Sequence, residues 1–141
     1  MLIKLLGAWV LMALSVAIHA GGLSWALRWL RRRGATPALF WQWTWLFVHI
    51  AGSVIVLHLL EITAWAVYYL WGGAMADLPA ALYFSAVTYT TTGYGDIVLP
   101  QDWRLVGAVE ALTGILMCGW STGFFFAVVT RMFDAGNRAN A

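Results

Sequence analysis

Charge is what this sequence has least of: only 10% of its 141 residues are Asp, Glu, Lys or Arg, against the ~25% usual in soluble domains. Cysteine is almost missing too. Cys118 stands alone, which excludes a disulfide within the chain and leaves no Cys/His spacing suited to structural zinc. The net charge of +2 is too small, and the basic residues too scattered, to make a nucleic-acid surface. Apolar side chains fill the space instead, at 62% of the chain. A soluble fold would expose too much of that surface, so the composition argues against a soluble enzyme.

The apolar excess is concentrated in charge-free stretches of 23 residues after Lys4, 27 after Arg33 and 20 after Glu110. Each is long enough to cross a bilayer, because ~20 residues at ~1.5 Å rise span its ~30 Å core. An integral membrane protein with three spanning segments is expected, roughly 5–28, 39–70 and 103–131. Lys4 and the apolar run to Ala20 have the outline of a secretory signal. Ile18 stands where cleavage needs a small residue, however, and the run resumes at Leu23, so the segment is read as retained.

Arg28, Arg31, Arg32 and Arg33 crowd the far end of the first segment, which the positive-inside rule places in the cytoplasm. The N-terminus is then outside and the C-terminus cytoplasmic. Tryptophan, an interfacial residue, is expected to mark both boundaries: Trp25, Trp29, Trp41, Trp43 and Trp45 inside, Trp9, Trp65, Trp71 and Trp103 outside. Arg31 to Arg33 would also attract anionic membrane lipid.

Residues 72–102 lie between two spanning helices and are not themselves a span. Asp77-Leu78-Pro79 reads as a helix start, predicting a short helix over 79–90. Beyond it, Thr90-Thr91-Thr92-Gly93-Tyr94-Gly95-Asp96 makes no sense as an ordinary loop at membrane depth, where non-helical backbone survives only inside protein or along a water-filled path. Alternating glycines open dihedrals closed to other residues. Successive carbonyls can then point to one side and replace the water around a cation.

Thr91-Thr92-Gly93-Tyr94-Gly95, with Asp96 after it, resembles the potassium-channel signature threonine-valine-glycine-tyrosine-glycine. Phe84 to Thr90 resembles the pore helix of that family, Trp103-Arg104 the start of its inner helix, and Gly114-Ile115 its hinge position. The similarity covers about residues 40 to 132. It implies an all-α membrane protein with three transmembrane helices, a re-entrant pore helix and a selectivity-filter loop. The divisions are an additional N-terminal helix and cytoplasmic arginine loop at 1–34, a pore domain at 39–133 (outer helix 39–70, pore helix 79–90, filter 91–95, inner helix 103–131) and a short cytoplasmic tail at 134–141. A homotetramer is expected, since carbonyl rings need about four walls and a closed cyclic assembly supplies them.

The activity so implied is passive potassium conduction in a bacterial inner membrane. Carbonyls of Thr91, Thr92, Gly93 and Tyr94, with the Thr91 hydroxyl and Gly95 at the ends, would replace potassium's hydration shell. Potassium is the permeant ion, with no cofactor. Asp96 would hydrogen-bond behind the filter. Thr92 departs from the family's valine, so a weakly selective monovalent cation channel is the alternative. A potassium-uptake transporter subunit fits less well, because those proteins carry four repeats in one chain and this chain has one.

Glu61 and Glu110 are intramembrane carboxylates at about one depth, and His58 shares a helix face with Glu61. Such groups are costly and tend to face protein or water. A pH-sensitive cluster of His58, Glu61 and Glu110 behind the pore helix is expected, reaching Thr88 or Tyr89 and supporting the filter. The blander reading is a pair of satisfied structural carboxylates. His19 and His49 are read as packing residues. On the third segment Gly114 is the expected hinge, with Ile115, Thr122 and Phe126 toward the pore, while Gly107, Gly119 and Gly123 permit close helix approach. The first segment lacks regularly spaced arginines and is no voltage sensor; it is expected to pack peripherally on the second. The ten residues after Arg131 are expected to hold no soluble ligand-binding domain.

Overall fold

The computed structural model describes residues 1–33 and 40–139. All regular structure among them is helical: α1 (Leu2–Arg33), α2 (Phe40–Trp71), α3 (Leu78–Tyr89) and, after a short 3-10 turn at Gln101–Trp103, α4 (Arg104–Ala139). Three of these helices are long and apolar enough to cross a membrane. At ~1.5 Å per residue, the 32 residues of α1 or α2 reach about 48 Å, more than the hydrocarbon core. Residue 34 of the arginine loop, residue 39 at the start of the expected outer helix and residues 140–141 of the tail lie outside the described residues. The inner helix does not stop near 131 but continues to Ala139.

α3 is short because its ends are chemically marked. Asp77 caps it, its Oδ1 accepting the Ala80 N–H at 2.8 Å, and Pro79 sits in the first turn, where no amide hydrogen is needed. The helix lies between α2 and α4. Its buried face, Ala81, Ser85 and Tyr89, repeats every four residues and so forms one stripe.

α1 runs alongside both α2 and α4, whereas α2 and α4 touch each other only sparsely. The expected packing of the first helix on the second is therefore incomplete: α1 reaches the inner helix as well. Small residues let it approach. A Cβ on Gly7 would collide with the Tyr68 ring, and one on Gly22 with the Leu57 side chain. The Tyr68 hydroxyl donates to the Lys4 carbonyl at 2.8 Å, and Lys4 pairs with Asp102 while lying 4.4 Å from the centre of the Trp103 ring. The start of α1 thus sits at the same end as the start of α4.

Two apolar clusters hold the bundle. One gathers Ala8, Ile62, Trp65, Tyr69, Tyr89, Trp103, Val106 and Met117; the other joins Leu23, Leu46, Ile50, Val54, Phe124 and Val128 toward the opposite end. Trp9, Trp25, Trp41, Trp45 and Trp71 are exposed, but Trp65 and Trp103 are buried in the first cluster, where their large area is removed from lipid and water alike.

Candidate functional site

The segment after α3 begins with an unusual helix ending. Thr91 N–H bonds to Thr88 O at 2.9 Å and Thr92 N–H to Val87 O at 2.9 Å, the paired pattern of a helix closed by a left-handed residue. Glycine normally fills that position, yet here it is Thr91, with φ +58°. Gly93 and Gly95 follow with φ +57° and +77°. Positive φ at every second residue, 91, 93 and 95, alternates the hand of the backbone, and such alternation brings successive peptide dipoles to a common side.

Residues 91–95 are exposed in the single chain, with Tyr94 at 72%. Two side-chain bonds brace the segment. Thr92 Oγ1 lies 2.9 Å from Thr90 Oγ1, whose hydroxyl also bonds to Ala86 O at 2.7 Å, tying Thr92 to the foot of α3. Tyr83 Oη donates to Asp96 Oδ2 at 2.6 Å, which pulls the Asp96 carboxyl below its usual range and raises the Tyr83 phenol.

Behind this segment are two polar groups. In the first, Glu110 of α4 accepts from Tyr69 of α2 at 2.7 Å and contacts Ser85 of α3, and Ser85 Oγ is also 2.8 Å from Ile62 O. In the second, Tyr89 donates to Glu61, and His19 Nδ1 lies 2.9 Å from the other Glu61 oxygen. His58 Nδ1 lies 3.1 Å from Tyr89 Oη, and Ser121 Oγ sits between His19 Nε2 at 2.9 Å and His58 Nε2 at 3.1 Å. His19, Glu61 and Glu110 are fully buried.

Residues 55–131, more than half of the chain, match the family model described as ion channel. The chain belongs to the ion-channel family. The Potassium voltage-gated channel protein Shal of Drosophila melanogaster is 32% identical over 71 residues, covering 49% of this chain and 12% of that protein. The chain thus spans about an eighth of the length of that curated relative. No solved structure matches it significantly. With three helices long and apolar enough to span, this member of the family is a multi-pass membrane protein, and its first helix lies outside the matched region.

The channel's expected cluster of His58, Glu61 and Glu110 is divided by the structure. His58 and Glu61 share one group through Tyr89, while Glu110 belongs to the other. Ser85 and Tyr89 stand one turn apart on α3, and each bonds a different carboxylate. Thr88 joins neither; it lines a surface pocket with Phe84, Val98, Leu99, Arg104 and Gly107. His49 has the backbone partner expected of a packing residue, Trp45 O at 2.9 Å. His19 does not fit that description, for it bonds both Glu61 and Ser121. No signal in the sequence links it to Glu61, because the two stand on different helices 42 residues apart.

On α4, Gly114 faces α3 directly: a Cβ there would strike the Tyr89 carbonyl. Ile115, Thr122 and Phe126 lie along one exposed stripe, seven and four residues apart, and Cys118 is exposed nearby. Among the described residues, nothing covers this stripe.

Proposed function

We propose that the protein is a potassium-selective channel in which four copies surround one pore. The single observation that carries the reading is the alternation of positive φ at Thr91, Gly93 and Gly95, directly after a short capped helix. Repeated around an axis, the carbonyls of Thr91, Thr92, Gly93 and Tyr94, the Thr91 hydroxyl and Gly95 replace the hydration shell that a potassium ion sheds. No cofactor is needed for that chemistry. Asp96, held by Tyr83, keeps the outer end of the filter in place, and Glu110, through Ser85, supports the pore helix; filter support by Thr88 is carried only by its place on that helix, two residues before its cap.

The exposed stripe of Ile115, Thr122 and Phe126 lines the pore below the filter, and Gly114 is the position at which α4 bends. In this reading the pore domain is 39–133 and α1 is the addition to it. The filter mouth and the N-terminus share one side, supported by the Lys4–Asp102 pair, and Arg28, Arg31 and Arg32 set the opposite side in the cytoplasm of a plasma-membrane protein.

Potassium flux into liposomes holding the purified protein tests this. Barium-sensitive flux that Gly93→Ala abolishes is expected; wild-type vesicles with no conductance overturn the reading. Cross-linking that stops at four copies is the matching result for assembly. The bond between Thr92 and Thr90 hydroxyls favours one variation, a filter of relaxed selectivity. Reversal potentials in mixed potassium and sodium, compared between wild type and Thr92→Val, separate the two.

A further inference from the structure

His19, Glu61, Tyr89, His58 and Ser121 form a closed circuit of five links, each residue touching the next and the last returning to the first. All four helices contribute. Five links between these groups need five protons. The two hydroxyls and two neutral imidazoles supply four, so the circuit closes when one more is held on Glu61 or on an imidazole, which leaves it with no net charge. Neutrality suits a site in which His19 and Glu61 are fully buried.

The same groups are the donor set of a transition-metal site. One donor atom from each of His19, His58 and Glu61 lies within 4.8 Å of the others. Tetrahedral zinc with ligands at ~2.0–2.1 Å separates its donors by about 3.3 Å. Here His19 Nδ1 to Glu61 Oε1 is 2.9 Å and His58 Nδ1 to Glu61 Oε2 is 3.9 Å, one on each side of that value. Tyr89 Oη, in contact with both His58 and Glu61, stands as the fourth donor.

The outer surroundings fit as well. A ligating imidazole is oriented by what its second nitrogen bonds, and both Nε2 atoms meet Ser121 Oγ, whose two lone pairs accept both N–H groups. Charge also balances. The closed circuit holds five protons; a form with Nδ1, Nδ1, carboxylate and phenolate on the ion keeps three, on the two Nε2 atoms and Ser121. One divalent cation thus takes the place of two protons, which leave to solvent, and the site stays neutral.

We propose that His19, His58, Glu61 and Tyr89 bind a divalent transition-metal cation of the zinc type, joining α1 and α2 to the foot of α3. Two borderline imidazole donors suit zinc better than calcium or magnesium, which prefer cages made of oxygen alone. The inference goes beyond ion conduction, and its test does not depend on it. Tyr89 is one residue before the helix cap that leads into 91–95, so the bound ion would hold the position from which that segment starts.

The test uses the full-length purified channel with any affinity tag removed, titrated with zinc and with cobalt. Expected are one zinc per chain by elemental analysis and the intense visible bands of tetrahedral cobalt. Both should be lost in His19→Ala, His58→Ala and Glu61→Gln, weakened about 10–100-fold in Ser121→Ala, and retained in His49→Ala. Gel filtration confirms that each variant is folded. A folded wild type that takes up neither ion at stoichiometric amounts overturns the proposal, whatever the variants do. So does uptake that survives in His19→Ala and His58→Ala, or that disappears in His49→Ala.

Discussion

The carbonyl oxygen of Tyr89 stands where a Cβ on residue 114 would have to be, so the last turn of α3 rests on α4 only because that residue is Gly114. The obstacle is backbone and cannot rotate away. Overpacking a core usually costs ~1–3 kcal/mol, and Gly114→Ala is expected at or above the upper end. Thermal unfolding in detergent measures it, with Gly21→Ala as comparison. Gly21 has open space around it, and alanine there is neutral or stabilising by about 0.5–1 kcal/mol.

Tyr83 and Asp96 give a pH prediction. The Tyr83 hydroxyl is the main reason the Asp96 carboxyl is held low, so the bonded, ionised form is present at neutral pH and is lost only as pH falls through that lowered value. Tyr83→Phe removes the cause and moves the loss to higher pH. Flux measured while acidifying the filter side should therefore decline earlier in Tyr83→Phe than in wild type, and Asp96→Asn should lose this dependence altogether.

Ser85 is the third testable position. It touches Glu110 and lies against Ile62 O, so Ser85→Ala leaves one buried carboxylate oxygen without a partner. A loss of about 1–3 kcal/mol follows, read as a lower midpoint of thermal unfolding. Tyr69→Phe acts on the same carboxylate, and the double variant should depart from additivity by about 0.5 kcal/mol or more.

Lys4 should matter much less than its two partners suggest. Asp102 is 62% exposed at its side chain, and exposed pairs contribute little and weaken with salt. Lys4→Met is expected to shift the unfolding midpoint slightly at low ionic strength and not at all in ~1 M salt, where the Debye length is ~3 Å.

The spanning helices were legible because hydrocarbon leaves no room for charge, and runs without it can be counted. The start of α3 was legible for a local reason, Asp77 and Pro79. Its end was legible to within one residue, 90 against Tyr89, but the left-handed residue that closes the helix is Thr91, a residue type that gives no warning of that conformation. The grouping of carboxylates was hidden for another reason. Glu61 and Glu110 were expected at one depth, and nothing in the sequence tells which of Ser85 and Tyr89, one turn apart on the same stripe of α3, meets which carboxylate. His19 was missed because 42 residues separate it from Glu61, and no helical spacing links residues on different helices.

Because α1 fills the seam along α2 and α4, its removal would not leave a tidy two-helix pore subunit. Glu61 would face acyl chains with one oxygen stripped of its imidazole, and Leu57 and Tyr68 would lose the glycine-lined surface they rest on. The extra helix acts as the solvent for an acid that hydrocarbon alone would not tolerate, which makes it as much a part of this subunit's interior as the segments the family model recognises.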